Sequence, residues 1–212
     1  MLRLLFTLVA LQVSSLSSLN AQVVLDQENI VVVTGSSFGT SVNSDSSPAQ
    51  VVTTGIAGHL FQVDLGLSRR STTTDPLFID IASVSNGTPD FTEAGRLATV
   101  LFDANDVDLP TTFPNFNFEV DLSGFDLHFD AQEQFAILAR STSDGLGYSW
   151  FVSQPGLDTY SGGSVFNASN GDIGTDSHFR TFVAAVPEPD SVAILVWLSL
   201  GYYWRRHKPN LL

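Results

Sequence analysis

The sequence predicts an all-β fold, a single antiparallel β-sandwich, and three observations carry that expectation. Phe116-Asn117-Phe118-Glu119-Val120-Asp121-Leu122 alternates apolar and polar residues without a break, the period-two pattern of a strand with one wet face. Roughly eight to ten such short segments recur at intervals of about a dozen residues, punctuated by Gly, Pro and Asp. No stretch has the 3.6-residue period of an amphipathic helix, and no internal repeat of fixed length is present.

Taken in order, Gln22 to Val33 supplies Val23, Val24, Ile30, Val31, Val32 and Val33, β-branched material for one or two strands. Thr34 to Gln50 is rich in Ser and Gly and reads as a long surface loop. From His59 a period of two puts Phe61, Val63, Leu65 and Leu67 on one side and Gln62, Asp64 and Gly66 on the other. Leu77 to Ile81 repeats it after the break at Asp75-Pro76, and Thr88 to Arg96 is a turn-rich connection with room for one helical turn. Leu97 to Phe102 is a further apolar run. After Phe116–Leu122, Ser123-Gly124 makes a tight break and Phe125-Asp126-Leu127-His128-Phe129-Asp130 alternates again. Gln134 to Arg140 and Tyr148 to Val152 flank a hairpin-like loop containing Asp144-Gly145, and His178 to Val183 is the last strand.

Both ends read as address labels. Arg3, the apolar run Leu4 to Val13 and the small, polar Ser14 to Ala21 have the layout of a secretory signal peptide cut after Ala21, so residues 1–21 are set apart. The body is 22–185. Residues 186–212 open with Pro187-Glu188-Pro189, where each proline pushes the residue before it out of helical space. An uncharged apolar segment follows from Ser191 to Trp204, expected as a membrane-crossing helix, with Tyr202, Tyr203 and Trp204 where an interfacial aromatic belt belongs. Arg205, Arg206 and Lys208 then form a cationic stop-transfer cluster.

That three-part tail resembles the PEP-CTERM sorting signal of exported bacterial proteins. The resemblance implies an exosortase-type processing enzyme as partner, which would recognise Pro187, Glu188 and Pro189, remove the tail and deliver the body to the cell surface or its polysaccharide matrix. A plain single-span anchor that is never cut is the alternative. The uncharged run of 14 residues is shorter than the ~20 a stable span needs, and a transient segment tolerates that better. The body is similar, more loosely, to exported choice-of-anchor β-domains, through Phe61-Gln62-Val63-Asp64-Leu65-Gly66-Leu67, Phe135-Ala136-Ile137-Leu138-Ala139, Tyr148-Ser149-Trp150, Tyr160-Ser161-Gly162-Gly163 and Phe179-Arg180-Thr181-Phe182-Val183. This second resemblance implies a jelly-roll-like sandwich and little assigned chemistry.

The charge balance narrows the partners. Between Gln22 and Val186 five basic residues face twenty acidic ones, a net charge of −15. Such a surface repels nucleic acid and anionic headgroups, leaving cations, neutral glycans or plain solubility. Cysteine is absent, so an exported body must rely on packing rather than disulfides.

Candidate chemistry is sparse. Asp103, Asn105 and Asp108 place oxygen ligands in a short acidic run that suits Ca²⁺, but the glycine and glutamate of an EF-hand loop are missing; an acidic turn without an ion is the plainer reading. Asp172 and Asp176, either side of Gly174, form a second oxygen-rich loop with the same alternative. Tyr148, Trp150 and Tyr160 are candidates for stacking on extracellular polysaccharide, against the alternative that they fill the core. Glu119, Asp121, Asp126 and Asp130 alternate beside phenylalanines, as on the wet face of a sheet rather than across a hydrolytic cleft. No serine elbow, phosphate loop, dinucleotide fingerprint or zinc-type histidine spacing occurs, and no catalytic residue is assigned. The expectation is a non-catalytic structural or adhesive surface protein; a secreted glycan-acting hydrolase with a carboxylate pair assembled only by the fold is the rival.

Overall fold

The computed structural model describes residues 22–31, 39–70, 73–107, 118–145, 147–154 and 159–185. The expected signal peptide and the whole sorting tail, including Pro187, Glu188, Pro189, Arg205, Arg206 and Lys208, lie outside the described residues, as does Asp108. The body spans Val23–Ala185.

Its strands are β1 (Val23–Asn29), β2 (Gly39–Val42), β3 (Pro48–Thr53), β4 (Gly58–Leu65), β5 (Leu67–Arg69), β6 (Leu77–Ser85), β7 (Thr88–Pro89) and β8 (Arg96–Phe102). They continue with β9 (Phe118–Asp121), β10 (His128–Phe129), β11 (Gln134–Ser141), β12 (Tyr148–Phe151), β13 (Val165–Asn167), β14 (Gly171–Asp172) and β15 (Phe179–Ala185). Every pairing among them is antiparallel. The only helical turns among the described residues are the 3₁₀ pieces Glu93–Gly95, inside the connection expected to hold one, and Ala104–Asp106. None of the described helices is long and apolar enough to cross a membrane.

The strands form three sheets. The first runs β1-β15-β4, with β9 and β10 both along the far side of β4. The second runs β14-β13-β3-β11-β6, with β7 and β8 also paired to β6, and the third is β2-β12-β5. One apolar cluster takes side chains from all three, among them Val63, Leu65 and Phe179 from the first, Ile79, Phe135 and Ile137 from the second, and Leu67 and Trp150 from the third. Burying such side chains fully is worth roughly 1.5–3 kcal/mol each, which is how a cysteine-free body holds together. A smaller cluster, Ala49, Val51, Ala82, Ala136 and Leu138, packs separately on β3, β6 and β11.

Gly66 is where the chain leaves one sheet for another. β4 pairs with β15, β5 pairs with β12, and between them the Gly66 N–H donates to the His178 carbonyl at 3.1 Å. A β-carbon at Gly66 would sit 2.7 Å from the His178 ring and 2.9 Å from the Phe151 ring, so only glycine fits the corner. The β6–β7 hairpin has Asn86 at φ 51° and Gly87 at φ 75°, the Asn-Gly turn whose twist matches the strands it joins.

Several expectations need correction. The loop placed over Thr34–Gln50 contains β2 and the start of β3; β3 lies between β13 and β11 in the middle of the second sheet. Long-range pairing there overrides a Ser-rich, weakly β-prone composition. The alternation from Phe61 fails at its first member. Phe182 pairs with Gln62 but Val183 pairs with Leu60, so Phe61 is the extra residue of a β-bulge; Leu60 takes the core position and Phe61 is left half-buried. The segment Phe125–Asp130 is a strand only at His128–Phe129. Residues 122–127 loop out of an edge that runs beside β4 as β9 and resumes as β10. The Leu122 N–H donates to the Phe61 carbonyl at 2.9 Å, and the Leu60 N–H to the Leu127 carbonyl at 2.8 Å.

Candidate functional site

The aromatic trio expected to contact polysaccharide is in the core. Tyr148 and Trp150 are fully buried, and Tyr160 is 7% exposed, so none offers a ring face to a sugar. Each polar tip is satisfied internally. The Tyr148 hydroxyl donates to the Asp75 carbonyl, and the Trp150 indole N–H donates to the His178 carbonyl at 3.2 Å. The Tyr160 hydroxyl accepts from the Thr53 N–H at 3.1 Å, while its ring meets Phe179 edge-on with centroids 5.1 Å apart. Burial pushes both tyrosine phenols up to about 12.

The first acidic run is a capped turn. The Asp103 N–H donates to the Asp106 carboxylate at 2.9 Å, and Asn105 Oδ1 accepts from the Arg69 guanidinium at 3.0 Å. Ala104 and Val107 are buried beneath it, and these two side-chain oxygens already hold N–H donors, as in a structural turn. In the second acidic loop the two aspartates separate. Asp172 Oδ1 accepts from the Gly174 N–H at 2.8 Å, whereas Asp176 is buried and its Oδ2 accepts from the N–H groups of Thr159 and Tyr160 at 2.7 and 2.9 Å. Asp176 therefore holds the segment that carries Tyr160. Among the described residues no group of three or more His, Asp or Glu is placed to hold a metal ion.

The remaining carboxylates divide by environment. Asp80 is fully buried, accepting from Arg140 Nε at 2.6 Å and from the Thr99 hydroxyl at 2.6 Å, with Arg96 Nε 3.4 Å away. Asp64 accepts from Arg180 at 2.7 Å and from Gln62 at 2.7 Å. Asp26 accepts from the Gly55 and Ile56 N–H groups, and partial burial still raises its carboxyl above the usual range. Glu119 and Asp121 are exposed on β9, as the alternation predicts, whereas Asp126 and Asp130 are exposed in the turns either side of β10. Inward-facing neighbours and outward acids along one edge discourage strand-on-strand aggregation.

A shallow groove lies between that edge and β4. Its volume is about 370 Å³, and its walls include His59, Phe61, Ser123, Phe125 and Asp126, with Ala184 at one end. Phe61 reaches it through the bulge, and Phe125 through the looped-out turn, where it stays 37% exposed. Beside it His59 and His128 are direct cross-strand partners. Their rings are 5.0 Å apart and edge-on; His59 Nδ1 is 3.2 Å from Asp126, and His128 Nε2 is 3.8 Å from Asp130. Linear spacing concealed this group: the two histidines come together only through the register of β4 and β10. The third body histidine, His178, is buried; its Nδ1 accepts from the Val31 N–H at 3.0 Å, and burial first, then Arg180, lowers it to about 4.

Compared with known proteins, the chain matches no family model and no curated sequence.

Proposed function

We propose that the chain is an exported surface or matrix protein whose acidic β body is delivered by two removable ends and has a structural or adhesive role. The observation that carries this reading is the order of the C-terminal tail: Pro187-Glu188-Pro189, an uncharged apolar run, then Arg205, Arg206 and Lys208. The body is compatible with losing both ends. Among the described residues the buried apolar side chains fall between Val31 and Val183, inside the proposed cuts after Ala21 and near Pro187. Sheets one and two contribute to one apolar cluster, which favours a jelly-roll-like sandwich for the body.

Adhesion is assigned to the groove beside β4 rather than to Tyr148, Trp150 and Tyr160. There Phe61 and Phe125 supply apolar ring surface, while Ser123, His59 and Asp126 supply hydroxyl-bonding groups. The charge of the body favours a neutral polysaccharide over an anionic one. The rival hydrolase reading is less well supported, because Asp126 is the single carboxylate lining that groove and the buried acids are engaged by arginine or backbone N–H groups.

The test is replacement of Pro187, Glu188 and Pro189 by alanine in the producing cell. The reading expects the altered protein to accumulate uncut in the membrane fraction while the parent reaches the surface. Identical processing of both proteins would refute recognition of that element.

A further inference from the structure

The geometry points to a two-imidazole chelate for a divalent transition metal ion of the zinc and copper class at His59 and His128. The inference does not depend on export or on polysaccharide. The two residues are opposite each other in the β4–β10 register and both face solvent, with side chains 46% and 47% exposed, while Leu60 and Phe129 beside them point into the core. Two imidazoles sharing one ion at a metal–nitrogen distance of about 2.0–2.1 Å and a tetrahedral angle have ring centres about 5 Å apart. The rings here are 5.0 Å apart before any ion is added. His59 also has a carboxylate neighbour of the kind that metal-bound imidazoles use to fix a tautomer. Asp126, 3.2 Å from His59 Nδ1, leaves His59 Nε2 for the ion; Asp130, 3.8 Å from His128 Nε2, is beyond hydrogen-bond reach and leaves both His128 nitrogens open.

With no third protein ligand among the described residues, the remaining positions go to water or to oxygen atoms of a bound molecule. Such a site is reversible and contributes nothing the fold requires. Imidazole and the surrounding negative charge favour zinc, copper or nickel over calcium, which prefers a full set of oxygen ligands.

The test is titration of the untagged full-length chain, bearing His207→Asn throughout so that the tail adds no imidazole, with zinc chloride by calorimetry and copper chloride by electron paramagnetic resonance. The expected result is one ion per chain and a copper spectrum showing nitrogen ligation. Either His59→Asn or His128→Asn abolishes that signature, and Asp126→Asn weakens binding about tenfold. His178→Asn and Asp106→Asn leave it unchanged. Circular dichroism of each variant confirms the fold, which is insensitive to changes at two solvent-facing positions. Absence of binding, or binding that survives both histidine substitutions, overturns the site.

Discussion

Val23 stands opposite Ala184 in the pairing of β1 with β15, so the body begins and ends on neighbouring strands. Its two ends are tied to each other by a ladder that runs on to Asn29 and Phe179. The proposed cuts, after Ala21 and near Pro187, would fall outside this ladder and leave the closure in place.

The fragment Gln22–Ala185 is therefore expected to unfold in one cooperative step at the same midpoint as a chain with its tail attached. Removing β1 as well, by starting at Ile30, uncovers β15 and takes away the Asp26 carboxylate that holds Gly55 and Ile56. That shorter fragment should melt at a lower temperature, and calorimetry of the two fragments checks the difference.

Asp80 has no solvent to fall back on, so its arginines decide its cost. Arg140→Ala removes the 2.6 Å partner and leaves a buried charge, with an expected loss of about 3 kcal/mol. Arg96→Ala, which removes a contact of 3.4 Å, costs less. Urea unfolding of both variants measures the order, and a larger loss for Arg96 would contradict the assignment of Arg140 as principal partner.

Trp150 and Tyr148 act as packing. Trp150→Ala is expected to cost about 3–5 kcal/mol of stability. Trp150→Phe keeps most of the volume, loses the bond to the His178 carbonyl and costs about 1 kcal/mol beyond the change in packing. Polysaccharide retention by folded Trp150→Phe should equal that of the parent. Phe125→Ser, by contrast, should remove retention with little change in melting temperature, because Phe125 lines the groove from an exposed turn. Affinity electrophoresis through a neutral polysaccharide gel separates the two cases.

The sequence announced the class of fold and most strands, because period-two alternation is local and needs no partner to be seen. Gln134–Ser141 and Phe179–Ala185 fall close to their expected spans for that reason. What it hid was non-local. β3 is weakly apolar yet central, since β11 and β13 pair with it from positions far along the chain. Phe61 looked like a core residue because alternation cannot register a bulge, and Phe125 because it cannot register a looped-out turn. The same limit applies to the candidate residues: Tyr148 and Trp150 lie buried on β12, whereas His59 and His128 meet through register alone.

His178 sets a pH dependence with a definite sign. Its folded value, about 4, lies below the ordinary histidine value of 6.5, so the unfolded chain binds the proton more readily. Its contribution to stability is complete above pH 6.5 and is lost as pH falls from 6.5 towards 4, by about 3 kcal/mol across the window. Asp26, raised by burial, acts in the opposite direction as pH falls, which makes a matched comparison necessary. His178→Asn keeps an acceptor available to the Val31 N–H and removes the titration. Urea midpoints of parent and variant should converge as pH falls, and parallel curves would exclude His178 as the source.

The most direct test of the delivery account is intact-mass analysis of the protein recovered from the surface of the producing cell. The account predicts a polypeptide that begins at Gln22, ends within or just before Pro187-Glu188-Pro189, and carries whatever group replaced the tail. A surface species retaining residues 1–21 or running on to Leu212, or a full-length chain found only in the cytosol, would contradict it.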